Sequence, residues 1–330
     1  SDYLDTGTHI AMGVALGGLA LIDPVIASEP ITHKAVISGV LVGSLIPDVD
    51  TVLKFRNNAV YIRNHRGITH SMPAVALWPI LISGILYWIY PDVNLLHLWL
   101  WTFLAVFLHV FVDIFNSYGT QALRPFSHKW VALSVINTFD PIIFTLHLIA
   151  FGVWWKTSAP VPTMLGLLAT LVLYYILRFA MKRAVTHAVE HTVPNAEEIF
   201  VAPTMSFLQW RVAASTKEAH YVGRAYGRSV TIYDKFDRLP LPTEEKVVKV
   251  AMTDSNMRAF TSFSPTYRWV IDELKDGGYE VRLIDLRYRS KGYYPFVAVV
   301  HLDHEYDILN SYTGWIFSEQ KLQKKLHIEK

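Results

Sequence analysis

Residues 95–114 read LLHLWLWTFLAVFLHVFVDI. Coiled as an α-helix, a stretch of this length and composition is long enough to cross a bilayer core, which needs roughly 20 apolar residues. Ionisable side chains are costly in such a setting and usually serve a purpose. His109 and Asp113 are four residues apart, so a helix presents them on one face, where they can share an ion. The same spacing also permits a simple hydrogen bond.

Outward from this stretch lie five more apolar runs, at residues 10–27, 35–46, 72–90, 141–155 and 161–180. The second and fifth runs of the six are short. Gly13 with Gly17 and Gly39 with Gly43 leave small-residue spacings that allow helices to approach closely. The chain of 330 residues is 52% hydrophobic and 18% charged, below the usual charged share of about a quarter. The apolar excess precedes residue 182 and the charges follow it, which predicts a membrane domain over 5–185 and a soluble domain over 190–330. The fold expected is an all-α polytopic membrane bundle of about six spans, then a mostly-β (α+β) domain. A net charge of +2 gives no case for nucleic-acid binding. With no cysteine, a metal must be held by His, Asp or Glu. The first apolar run has no basic residue ahead of it, which argues against a cleaved signal peptide. Asp5 onward reads as a helix start, with Thr6 as its cap.

Alternate loops share a side of the membrane. One side receives Lys54, Arg56, Arg63, Arg66, Arg124, Lys129, Lys182 and Arg183; the other receives Lys34 and Lys156. Eight against two places both termini in the cytoplasm of a bacterium's plasma membrane. His9 then starts the first helix on the cytoplasmic side. Asp48 and Asp50, in Pro47-Asp48-Val49-Asp50, follow the second helix back to it. His65 and His70, in His65-Arg66-Gly67-Ile68-Thr69-His70-Ser71, occupy the next loop. His109 and Asp113 end the fourth helix there, and Asp140 precedes the fifth.

Each group alone has a plain reading. Asp48 and Asp50 can form a solvated turn that Pro47 initiates. The histidine loop can face anionic lipid headgroups. Yet two close carboxylates repel unless a cation intervenes. Gly67 allows a sharp bend that brings His65 and His70 together. Thr69 and Ser71 are available to cap the next helix, and Asn116 and Ser117 to support the site or cap a helix end. The candidate ligands are therefore His9, Asp48, Asp50, His65, His70, His109 and Asp113. Seven exceed one catalytic zinc site and suit two ions sharing a carboxylate. Zinc is the first choice for this donor set, with manganese or iron as alternatives. A metal-bound water is the expected nucleophile, with Asp50 and Arg66 as catalytic groups and Arg66 stabilising anionic charge. The reaction expected is hydrolysis of an ester or phosphoester in a membrane lipid or a lipid-linked or phosphorylated substrate. Other readings are an ion-coupled transporter, or a membrane anchor with a structural metal and a regulatory cytoplasmic domain. Lone His97 and His147 read as packing or interfacial residues.

On Thr8-His9, Pro47-Asp48-Val49-Asp50, the His65 to Ser71 motif and His109 with Asp113, the chain resembles the bacterial membrane-bound metal-dependent hydrolase family (YdjM-like), and among its members the YfhP type. The resemblance covers roughly residues 5–180 and implies an integral inner-membrane hydrolase. A distant likeness to zinc-dependent phospholipase C and P1-type nucleases implies phosphoester substrates, although their metal-binding N-terminal tryptophan is absent here.

Beyond residue 190 the pattern alternates or becomes β-branched. Strands are predicted over 210–214, 219–226, 229–233, 246–252, 279–288 and 296–303, with a short helix over 255–263. His301, Asp303, His304 and Asp307 can hold an ion or form a polar turn between strands. The tail over 319–330 reads as a solvated helix or a disordered end. This domain is expected to lid the site, bind a partner or regulate activity.

Overall fold

The computed structural model describes residues 2–55 and 58–328. Arg56, counted above among the basic loop residues, lies outside them, as do the side chains of Lys54 and Arg63. The chain forms two compact units. One comprises Ser1–Asp50, Arg66–Lys182 and Ala202–Phe207; the other comprises Thr51–His65, Arg183–Val201 and Leu208–Lys330.

The first unit is helical. Helix α1 spans Asp2–Leu19, the short α2 Pro24–Ser28, and α3 Pro30–Leu45. Thr6 is therefore inside α1 and does not cap it. The first apolar run breaks at Asp23, because Pro24 disfavours helical geometry in the residue before it. Asp23 is extended and caps α2 by accepting from Val25 N at 3.0 Å. Pro47 does not turn the chain abruptly either: α3 passes into a 3-10 helix over Ile46–Phe55, where a proline near the start loses no essential donor. Helix α4 (Asn58–Asn64) belongs to the second unit. Helix α5 spans Met72–Ile89, α6 Leu95–Asp113, α7 Pro141–Thr157 and α8 Pro160–Thr192. The cap of α5 is Ser71, which accepts from Ala74 N. Thr69 instead points its hydroxyl at Asp50.

Five segments are long and apolar enough to cross a membrane: Leu4–Ile22, Pro30–Thr51, Met72–Ile89, Leu95–Asp113 and Pro160–Thr192. Helix α7 is apolar but shorter. Leu77, Ile85 and Trp88 on α5 and Leu173 and Ile176 on α8 are exposed. Such contiguous apolar surface is unfavourable in water and compatible with lipid. Packing inside is close. A Cβ on Gly39 would lie 2.5 Å from Thr102 Oγ1, and one on Gly43 3.2 Å from Ala105 Cβ. These two glycines let α3 press its backbone against α6.

The second unit carries two four-stranded antiparallel sheets. The first joins β1 (Glu198–Pro203), β2 (Gln209–Ser215), β3 (Ala219–Tyr226) and β4 (Ser229–Asp237) in sequence order. Helices α9 (Lys246–Ala251) and α10 (Ser255–Phe263) follow. The second sheet joins β5 (Tyr267–Glu273), β6 (Tyr279–Asp285), β7 (Phe296–Leu302) and β8 (Ile308–Trp315), and α11 (Glu319–Ile328) closes the chain. The strand predicted over 246–252 is thus a helix: Val247, Val248 and Ala251 form one buried stripe at helical spacing, which outweighs valine's strand preference.

Strand β7 explains this layering. Successive side chains point to opposite faces. Phe296 stacks on Phe260 of α10, while Val297 and Val299 join Leu322 and Leu326 of α11 in one cluster. Both faces are covered, so β7 is almost continuously buried. The tail is therefore a docked helix, with Leu322 and Leu326 at 0% exposure. Asn58 of α4 donates to Thr313 O at 3.2 Å and to Tyr312 Oη at 3.3 Å, tying Thr51–His65 into this unit. Between β7 and β8, Asp303 Oδ1 accepts from the backbone of Glu305 and Asp307, and His301 bonds Glu280, so this stretch is a polar turn.

Candidate metal centre

At one end of the helical unit, α1, α3 with its 3-10 extension, the loop before α5 and the last turn of α6 converge on a buried set of acids and imidazoles. The side chains of His70 and His109 are fully buried, and those of His9 and Asp113 nearly so. His70 Nε2 lies 3.1 Å from Asp113 Oδ2 and 3.5 Å from Asp48 Oδ1. His109 Nε2 lies 3.2 Å from the same Asp113 oxygen and 3.3 Å from the same Asp48 oxygen. His9 stacks on His109 with ring centroids 3.8 Å apart and places Nε2 3.3 Å from Asp113 Oδ1.

Two ligand groups emerge among the described residues. Asp48, His70, His109 and Asp113 bring one donor atom each to within 4.8 Å of one another, and Asp5, His9 and Asp48 do the same. Asp48 belongs to both. Asp5, which is not among the seven candidate ligands, stands four residues before His9, so both lie on one face of α1.

Two expected ligands fall outside these groups. His65 stacks on Tyr61 at 4.6 Å. Asp50 Oδ2 accepts from Arg66 N at 2.7 Å and Thr69 Oγ1 at 2.8 Å, and it stands 3.8 Å from His70 Nδ1. Its carboxylate thereby shapes the loop that carries Arg66 and His70. Arg66 rather than Gly67 takes the left-handed conformation at this bend, with φ 56°. A non-glycine residue there is uncommon, and the Asp50 bond to its backbone holds it. Its Nη2 donates to Asp5 Oδ2 at 3.0 Å and approaches Asp113 Oδ1 at 3.8 Å. The neighbouring helix-end groups have ordinary roles. Asn116 Oδ1 accepts from Tyr118 N and Gly119 N, and Asp140 caps α7 while accepting from Tyr174 Oη. His97 pairs with Asp23, and His147 Nδ1 donates to Ile143 O.

The donor set fits a cation. Ser44 O can only accept, so His109 Nδ1 must carry the proton in that bond. Nε2 then faces two carboxylates and has no hydrogen-bond partner; His9 Nε2 and Asp48 Oδ1 also lack one. Four carboxylates meet a single guanidinium in this buried space, and such an excess is costly unless protons or a metal balance it. The same demand acts on His70, which burial would push down but which its hydrogen bond to Asp113 and the nearby Asp48 carboxylate draw up. Arg66 likewise stays firmly protonated despite burial, because Asp113 and Asp5 stand beside it.

Residues 4–185 match the YdjM inner membrane protein family. Residues 194–236 match the YfhP middle domain, and 246–326 match the YfhP C-terminal alpha/beta plait domain. The chain is 57% identical to the uncharacterized protein YfhP of Bacillus subtilis (strain 168), over 98% of its own length and 99% of that protein. No solved structure matches it.

Proposed function

The chain belongs to the YdjM inner membrane protein family, and on that premise we propose that it is a metal-dependent hydrolase of an ester or phosphoester at the cytoplasmic face of the membrane. The observation that carries this reading is His109: its Nδ1 is bound to Ser44 O, and its Nε2 is aimed unbonded at Asp48 and Asp113. Asp48, His70, His109 and Asp113 would hold one divalent ion. Asp5 and His9, with Asp48 shared between them, would hold a second. Zinc suits this mixture of imidazole and carboxylate, as manganese and iron do. A divalent cation supplies Lewis acidity that activates water and polarises the bond to be cut.

The protein's own groups do the rest. Ser44 O and the Asp50–Thr69 bridge hold His109 and His70 in fixed orientations. Arg66 stays cationic beside Asp5 and Asp113 and is suited to bind an anionic oxygen. In the net reaction the oxygen of water bonds to the phosphorus or carbonyl carbon, the bond to the alcohol oxygen breaks, and the alcohol leaves with a proton. The excess of Lys and Arg in the loops on this side supports a cytoplasmic location for it and for both termini.

Elemental analysis of the purified full chain, followed by a screen of phosphate and carboxylate esters with chelator controls, tests the reading. Two ions per chain and turnover abolished by chelator are expected. One tightly bound ion removes the shared-carboxylate arrangement, and turnover insensitive to chelator overturns the mechanism.

A further inference from the structure

The cluster opens onto a cavity of about 380 Å³ within the helical unit, within the ~300–1,000 Å³ range of small-molecule sites. Its polar wall is drawn from the starts of α1 and α7 and the end of α6: Asp5, Thr8, His9, Asp113, Asn137 and Asp140. Apart from Asn116, Thr138 and the buried His147 of α7, its remaining wall is apolar and runs down α1 through Met12, Leu16 and Leu19, facing Met164, Leu167 and Leu171 of α8. From Thr8 to Leu19 the helix advances about 16 Å. Three residues of the polar wall, Asp5, His9 and Asp113, are also members of the two ligand groups or direct partners of Arg66.

A small hydrophilic substrate would fill the polar mouth and leave the apolar length against nothing. An amphiphile satisfies both parts. From the continuity of the apolar wall with the ligand groups we infer that the protein binds a phosphorylated lipid by one extended tail. The tail lies between α1 and α8, and the phosphate meets the cluster beside Arg66. The phosphate end follows from the polar wall: Asp5 and Asp113 line the cavity and are the two carboxylates that Arg66 pairs with, so its guanidinium stands behind that wall as the cationic fork nearest an anionic oxygen there. The tail end follows from the medium, since the outer faces of α5 and α8 are apolar and exposed, and lipid is what surrounds them. This inference rests on the hydrolase reading for the role of the cluster and adds the class of substrate.

The test uses full-length protein in phosphatidylcholine vesicles and long-chain alkyl phosphonates, which cannot be hydrolysed. A photoreactive group is placed near the phosphonate in one probe and at the end of the tail in another. The tail probe is expected to label Leu16 and Leu167, and the head probe Thr8 and Asn137. Unlabelled long-chain alkyl phosphonate should compete, and methylphosphonate should not. Leu167→Trp, which fills the cavity, should lower capture by roughly tenfold, equal to about 1.4 kcal/mol of lost binding. Leu173→Trp, on an exposed face of α8, should leave capture unchanged. Labelling spread over the exposed faces of α5 and α8, or equal competition by methylphosphonate, overturns the tail assignment without recourse to any variant. Because capture needs no turnover, the two readings separate. Capture of the phosphonate with no hydrolysis of the matching phosphate ester counts against the hydrolase alone. Hydrolysis of that ester with no capture in the cavity counts against the tail site alone.

Discussion

Two buried acids in this chain, Asp113 in the helical unit and Asp285 in the sheet unit, show what an answered charge looks like and what an unanswered one looks like. Asp285 is fully buried, and Arg287 satisfies it through Nε, Nη2 and its own backbone N–H. The guanidinium is then flanked by Phe200, Phe263 and Tyr288. Charge is matched, donors are used, and nothing further is required. Asp113 has company of another kind. His9, His70, His109 and Arg66 surround it, but Asp5 and Asp48 crowd the same space, and buried nitrogens of His9 and His109 stay without hydrogen bonds. Burial of a charge alone therefore says little about function. An excess of one sign among convergent ligand atoms says much more.

The sharpest way to break this contrast is to remove a ligand from each group. Asp48→Ala takes the carboxylate common to both, and metal content and turnover should fall by roughly a hundredfold or more, since even partners that merely orient ligands cost 10–100-fold. Elemental analysis and kinetics on the folded variant check this. Retained metal and retained turnover would make Asp48 a bystander. Asp285→Ala should do the reverse. It strands Arg287 and destabilises the sheet unit by about 3–5 kcal/mol, read as accelerated amide exchange in β6 and β7, while metal content stays at the level of the unaltered protein. Loss of metal in that variant would show that the two acids are not different in kind.

Asp50 is the intermediate case. It belongs to neither ligand group, yet it holds Arg66 N and Thr69 Oγ1. Asp50→Asn keeps one acceptor oxygen and loses the charge, so metal affinity should weaken by roughly 10–100-fold. A drop as large as that of Asp48→Ala would return Asp50 to the ligands proper.

These roles differ in how far they can be read from residue order. His109 and Asp113 are legible as a pair, because four-residue spacing on an apolar helix sets them on one face, although that spacing serves a simple hydrogen bond as well as a shared ion. His70 is legible as part of a His-rich bend, but that its partner is His109 rather than His65 depends on where the chain turns. That turn depends on Arg66 adopting φ 56°, which no spacing rule anticipates. Asp5 reads from the sequence only as the start of a helix, and it is the helical register linking it to His9 that makes it a ligand candidate. In the sheet unit, the run from Lys246 is rich in valine and looks like a strand, yet it is buried on one helical stripe against β6 and β7. Strand β8 contains Asn310, Ser311 and Gly314, weak strand formers whose place is set by pairing with β7. The charged tail hides two leucines whose burial requires the sheet to exist first.

The smallest expected effect tests the sheet unit's own charges. Glu280 receives a hydrogen bond from His301 Nε2 at 2.7 Å and pairs with Arg282, which also reaches Glu319. Burial would push the Glu280 carboxyl up, but His301 and Arg282 outweigh it and hold it below the usual carboxylate range. A folded-state value below the unfolded one stabilises the fold above the ordinary glutamate value, and that contribution disappears as pH falls through the folded value. Acidification below about 4.5, the ordinary value, should therefore loosen β6 and β7 before the solvent-facing turns change. The size is below about 1 kcal/mol, because Arg282 and Glu319 are partly open to solvent screening. Amide exchange corrected for intrinsic rates, compared between the unaltered chain and Glu280→Gln, reads it. The variant should lose the acid-dependent part of the exchange and keep the rest. An identical pH slope in both would mean that the partly buried Glu280 pair is geometry without energy, unlike the more deeply buried Asp285–Arg287 pair.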